Sequence, residues 1–184
     1  MTKQNTRLRM LIVTALFTAI ISILAQVAIP MPLGVPITGQ TLAIGLAATI
    51  LGSRYGTLSA VLYLLLGAIG VPVFAQMTGG LGIIVGPTGG LLIGFIPTTF
   101  IMGYYLEKTN FTVTHALIAN VIGMFITLFF GTIWLKYAAN LSWATAFAGG
   151  FTPFIIGGFI KAFIAATVGI MVRERLAAAN LLIA

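Results

Sequence analysis

The sequence predicts an all-α integral membrane protein, folded as a six-transmembrane-helix bundle in a single substrate-binding domain over residues 1–184. Composition is the first evidence, because 60% of the residues are hydrophobic and only 6% are charged, whereas soluble domains carry about 25% charged residues. Length is the second, because a spanning helix needs about 20 apolar residues. The chain therefore has room for six such helices and for no soluble domain.

The apolar runs place the helices at residues 9–29, 38–52, 57–70, 87–106, 113–135 and 149–172. Between the first two helices, residues 30–41 hold three prolines and two glycines, so this segment cannot continue a helix. Residues 53–56 predict a tight turn between helices 2 and 3. Residues 70–90 form a second connection rich in glycine, whose backbone has the freedom to approach a ligand.

Helix 6 carries the feature that points most directly to function. Lys161 is the one charged residue in the 24-residue run 149–172, near its middle. A lysine at the bilayer midplane costs about 2.5 to 3.5 kcal/mol, so we expect it to face a cavity and to mark a binding site. Its helical neighbours Gly157, Gly158 and Ala165 leave space beside it. An alternative is that these glycines only admit another helix and that the lysine bonds a free backbone carbonyl.

Polar residues elsewhere complete a candidate substrate-binding set with Lys161. Gln40 stands at the start of helix 2, and Gln76 and Thr88 belong to the second glycine-rich connection. Asn120 lies within helix 5, where it fits both bonding between helices and contact with a ligand. Gly158 is included because it lies beside the lysine.

Helix 1 presents two alanines one turn apart, Ala15 and Ala19. Small residues at this spacing let a second helix approach closely. The partner helix is either another helix of the same fold or a helix of another protein.

The distribution of basic residues predicts the orientation. With six helices both termini share one side, and that side holds seven of the eight basic residues at helix ends: Lys3, Arg7, Arg9, Arg54, Lys108, Arg173 and Arg175, against Lys136 on the other. Cytoplasmic loops carry the excess of Lys and Arg. We therefore expect a multi-pass protein of the cell membrane with cytoplasmic termini. The two connections rich in glycine and proline, residues 30–41 and 70–90, are called the two shaped connections below, and we expect both to lie outside.

Several functions are excluded by what the sequence lacks. The only carboxylates, Glu107 and Glu174, fall at predicted cytoplasmic helix ends, so none is available in the membrane for a proton relay or a sodium site. The chain has no Walker motif and no protease motif. With no cysteine and one histidine it offers no metal site, and its scattered basic residues form no nucleic-acid patch. We expect a protein that is not an enzyme and whose concentrative uptake is energised by partners.

Three stretches resemble the BioY family, the biotin-binding S components of energy-coupling factor (ECF) transporters: ITGQTLAIGLAATILGSRYG, GVPVFAQMTGGLGIIVGPTGGLLIGF and PFIIGGFIKA. The resemblance covers nearly the whole chain. It implies a six-helix subunit that captures biotin as its substrate from outside, without a cofactor. It also implies assembly with a transmembrane coupling protein and two cytoplasmic ATPases.

The resemblance assigns roles to particular residues. Lys161 matches a family lysine that contacts biotin, and Ala15 and Ala19 match the family's contact with the coupling protein. The family pattern has an aspartate three residues before the lysine, where this sequence has Gly158. The competing interpretations are a solitary, ATP-independent facilitator of biotin, an S component for another small anionic vitamin, and a membrane anchor that transports nothing.

Overall fold

The computed structural model describes residues 3–179, 181 and 182. Its helices are α1 (Lys3–Ala25), α2 (Gln40–Ala68), α3 (Leu81–Val85), α4 (Gly89–Lys108), α5 (Val113–Ala138), α6 (Trp143–Gly150) and α7 (Phe154–Ala178). Two short strands, β1 (Ala28–Ile29) and β2 (Ile37–Thr38), pair antiparallel between α1 and α2. Five stretches of the described chain are long and apolar enough to cross a membrane: they lie in α1, α2, α4, α5 and the run from α6 through α7.

Helix α2 is a hairpin of two arms. Gly52 breaks it with φ +75° and ψ −168°, a conformation that glycine adopts without steric cost. The side chain of Gln40 reaches the hydroxyl of Tyr63, so the first arm (residues 40–51) runs back along the second arm (residues 53–68). With α1, α4, α5 and α7, the two arms form the predicted six-helix bundle.

The hairpin turn is tied to the end of α4. The Glu107 carboxylate accepts hydrogen bonds from the backbone N–H and the hydroxyl of Ser53, both at 2.7 Å. A side chain at Gly52 would collide with this carboxylate. From α7, Arg173 donates to the Ile50 carbonyl and lies 3.4 Å from the centre of the Phe111 ring. These contacts fix α2, α4 and α7 together at one end of the bundle.

The helices pack in a ring that leaves space at its centre. The pairs in contact are α2 with α4, α4 with α5, α5 with α7 and α7 with α2, while α1 packs on the outside against α2. On α4, Gly103 meets the backbone of Ser53 in the second arm of α2. On the other side, Gly45 of the first arm lies beside Ala165 of α7. The first arm therefore faces α7 and the second arm faces α4.

Helix α1 has one buried face and one exposed face. Met10, Phe17 and Ile21 are buried against the bundle, whereas Ala15 and Ala19 are exposed. The structure thus does not support the interpretation that this alanine pair packs within the fold.

The last helix begins later than predicted. Residues 143–150 form a helix of their own, α6, and a turn at residues 151–153 separates it from α7. Pro153 explains the break, because the residue before a proline is disfavoured in helical conformation. Lys161 consequently lies about two turns from the start of α7, in the N-terminal half of the helix rather than at its centre.

Candidate functional site

A cavity of about 190 Å³ lies inside the ring of α2, α4, α5 and α7. Most of its wall is apolar, built from Ile44, Leu91, Leu92, Phe95, Met102, Met124, Leu128 and Phe154. The two shaped connections line one end of the cavity. The first contributes Gly34, Pro36 and Thr38, and the second contributes Phe74, Ala75, Gln76 and Thr78. The described lining includes no carboxylate.

Lys161 is the only cation among the described lining residues. Its Nζ donates to the Thr38 carbonyl at 2.6 Å and to the Thr41 hydroxyl at 3.2 Å. The bond to the Thr38 carbonyl agrees with the alternative given above, in which the lysine bonds a free backbone carbonyl. An ammonium has three hydrogens, so one donor is left over within the described structure. Lys161 therefore both anchors the start of α2 and keeps a charged donor at the cavity.

Gln40 belongs to a hydrogen-bonded chain at the same end. Its Oε1 accepts from the Thr38 hydroxyl at 2.7 Å, and its Nε2 donates to the Tyr63 hydroxyl. Gln40 is buried and lines the cavity. Because both ends of its amide are engaged, it holds the Thr38 segment against the second arm of α2.

Asn120 bridges two helices from the deeper part of the cavity. Its Nδ2 donates to the Thr49 hydroxyl at 3.0 Å and to the Ala116 carbonyl at 2.8 Å. Both amide hydrogens are thus used in joining α5 to the first arm of α2. The carbonyl oxygen, Oδ1, accepts no bond from a described residue, so Asn120 combines interhelical bonding with an available acceptor.

The other three candidates also line the cavity. Gly158 packs against the sulfur of Met124, whereas Gly157 has open space around it. Gln76 is exposed and has a left-handed backbone with φ 58°. Thr88 immediately precedes α4 and makes no side-chain cap bond there. The structure therefore brings all six predicted binding residues to one cavity.

Comparison with known proteins agrees with this architecture. The model of the BioY family matches residues 1–178. This chain belongs to the BioY family. It is 40% identical over 177 residues to biotin transporter BioY2 of Lactococcus lactis subsp. cremoris, covering 96% of this chain and 97% of that protein. It is 38% identical over 167 residues to biotin transporter BioY of Thermotoga maritima, covering 91% and 97%.

A solved structure also matches nearly the whole of this chain. It is the S-component for biotin from an ECF-type ABC transporter, with a TM-score of 0.86, 33% sequence identity and 95% coverage of both chains. The six-helix fold predicted from the sequence is thereby confirmed.

Gln26 is a functional candidate that sequence reasoning missed. It follows the last turn of α1. Of its two Nε2 hydrogens, one bonds the Ser22 carbonyl at 2.9 Å, and the other is shared between the Val73 and Phe74 carbonyls at 3.3 and 3.1 Å. Its Oε1 accepts from the Met77 N–H at 2.8 Å. Gln26 therefore holds the second connection in place at the cavity. The sequence shows a polar residue at a helix end, but it does not show partners about 50 positions away.

We expect Gln26→Ala to loosen the second connection, because the bond from the Met77 N–H and the bond shared between the Val73 and Phe74 carbonyls are lost. Hydrogen exchange of peptides covering residues 73–78 should accelerate by about tenfold for each 1.4 kcal/mol of lost protection. Ser22→Ala is the matched control, because the Ser22 hydroxyl bonds only the Thr18 carbonyl of its own helix. Equal exchange in the two variants would contradict the role assigned to Gln26.

Proposed function

We propose that this chain is the membrane-embedded substrate-specificity subunit of a biotin transporter. It acts without catalysis, capturing biotin and releasing it when partner ATPases supply energy. The observation that carries the proposal is the match of nearly the whole chain to relatives named biotin transporters. The match to the S-component for biotin, at 95% of both chains, supports the same assignment.

The chemistry of the cavity suits biotin. This vitamin combines an apolar thioether ring and an alkyl tail with a carboxylate and an uncharged cyclic urea. The cavity offers apolar walls, one lysine and no carboxylate among its described lining residues. A partly buried lysine with no carboxylate among the described residues that line its cavity favours a ligand that brings negative charge or strong acceptors.

Capture from the outer face is supported by the charge distribution. Arg54, Lys108 and Arg173 belong to the end of the bundle where Glu107 holds the hairpin turn, and the first residues of α1 lie toward the same end. Lys136 lies at the opposite end, over the rings of Tyr137 and Trp143. Under the positive-inside rule the termini are cytoplasmic, and the two shaped connections face outward.

The proposed contact with a transmembrane coupling protein is the exposed face of α1. Ala15 and Ala19 are flanked there by Leu11, Ile12 and Leu16, all exposed. A pair of small residues one turn apart lets a partner helix approach closely. The chain has no motif for ATP hydrolysis, so two cytoplasmic ATPases are proposed to act through this coupling protein.

The substrate is tested by ligand-induced stabilisation of the purified protein. Biotin at 100 times its Kd should stabilise the folded state by about 2.7 kcal/mol and raise the melting temperature. Thiamine and riboflavin at equal concentration should leave it unchanged. Equal shifts with all three vitamins would end the biotin assignment.

Lys161→Ala should lower biotin affinity by about tenfold to a hundredfold, because a charge-assisted hydrogen bond worth about 1.5 to 3 kcal/mol is lost. Binding is measured by calorimetry, and the melting temperature without ligand is measured on the same variant. Lys136→Ala is the control, because Lys136 is outside the described cavity lining and should leave affinity unchanged. A lowered melting temperature with wild-type affinity would confine Lys161 to anchoring Thr38 and Thr41.

Ala15→Leu and Ala19→Leu should leave biotin binding intact and abolish ATP-driven uptake in vesicles that contain the partner subunits. The added bulk would separate two helices that need close contact. Ala148→Leu is the control, because it adds the same bulk to an exposed alanine of α6. Uptake that persists in the α1 variants, or that proceeds without ATPases, would favour a solitary facilitator.

A further inference from the structure

Two threonine hydroxyls meet in the wall of the cavity. Thr98 of α4 and Thr127 of α5 lie 2.8 Å apart, oxygen to oxygen, and either can be the donor. Each residue is only 2% exposed, and both line the cavity. A polar pair therefore stands in a wall whose other α4 and α5 residues are mostly apolar, among them Leu92, Phe95 and Leu128, with Asn120 as a further polar side chain.

The pair has more hydrogen-bonding capacity than the described protein uses. Thr99 and Thr14 show how a buried helical threonine can use its hydroxyl within its own helix, because they bond the carbonyls of Phe95 at 2.6 Å and Met10 at 2.7 Å. Thr98 and Thr127 make no such bond among the described contacts and have only each other. Two hydroxyls carry two hydrogens, and their mutual bond uses one. One donor and several lone pairs are left over.

The pair lies across the cavity from Lys161. Thr98 and Thr127 belong to the contact between α4 and α5, whereas Lys161 belongs to the contact between α7 and the first arm of α2. All three residues line the same cavity. A ligand that fills this space is therefore offered polar groups from two opposite walls.

We propose that Thr98 and Thr127 form a second polar subsite, which takes an uncharged hydrogen-bonding group of the ligand from the wall opposite Lys161. The inference rests on the proposed function and deepens it. The subsite suits a neutral group, because two hydroxyls supply no charge to compensate a buried carboxylate. In biotin the ring system carries such groups, so the pair contacts the ring system rather than the carboxylate.

The test is the double variant Thr98→Val with Thr127→Val, assayed by calorimetry with biotin and with biotin carboxamide. The carboxamide keeps the ring system and lacks the negative charge. We expect affinity for both ligands to fall by about the same factor, roughly tenfold, because the same ring contact is lost. The melting temperature without ligand should hold, because removing both partners of a hydrogen bond leaves neither one unpaired.

Two further variants make the result specific. Thr99→Val alters the neighbouring buried threonine, whose hydroxyl already bonds Phe95, and should leave affinity unchanged. The double variant Thr98→Ser with Thr127→Ser keeps both hydroxyls and should bind biotin as the wild type does. If the double valine variant does not fold, Thr127→Val alone carries the affinity test; its melting temperature without ligand should then fall, because the Thr98 hydroxyl loses its partner.

The subsite is overturned if the valine variant binds biotin as tightly as the wild type. Its assignment to the ring system is overturned if affinity falls for biotin but not for the carboxamide. A wild-type protein that binds neither ligand would instead contradict the proposed function. The two failures are therefore distinguishable.

Discussion

The rest of this structure depends on how the ammonium of Lys161 is hydrogen-bonded. This charge lies at a mostly apolar cavity, and the described cavity lining holds no carboxylate. A buried charge must be hydrogen-bonded, and here the start of α2 supplies the Thr38 carbonyl and the Thr41 hydroxyl. Those bonds in turn position Gln40 against Tyr63. One lysine thus organises the junction of α7 with α2 and still presents a donor to the cavity.

The two ends of the bundle are built differently. At one end Glu107 and Arg173 join α2, α4 and α7 through direct polar contacts. At the other, the cavity is bordered by two connections rich in proline and glycine, and the second of them depends on Gln26 for its attachment to α1. Helix α1 therefore carries both the attachment of this connection and the exposed Ala15–Ala19 face.

The sequence predicted the features that depend on composition and on residues close in the chain. Apolar runs predicted the six helices, and a lone lysine predicted a polar site in the cavity. The separate helix α6 was missed, because an apolar run alone does not reveal a break at Pro153. Gln26 and the Thr98–Thr127 pair were missed because their partners lie 29 to 51 positions away. Such contacts follow from helix packing, which the spacing of residues within one helix does not encode.

The most direct test of the account is a structure of the protein with biotin bound. The account predicts biotin in the cavity between α2, α4, α5 and α7, with one of its polar atoms within about 3.2 Å of the Lys161 Nζ. Biotin bound outside this cavity would contradict it. So would biotin inside the cavity while Lys161 still bonds only Thr38 and Thr41.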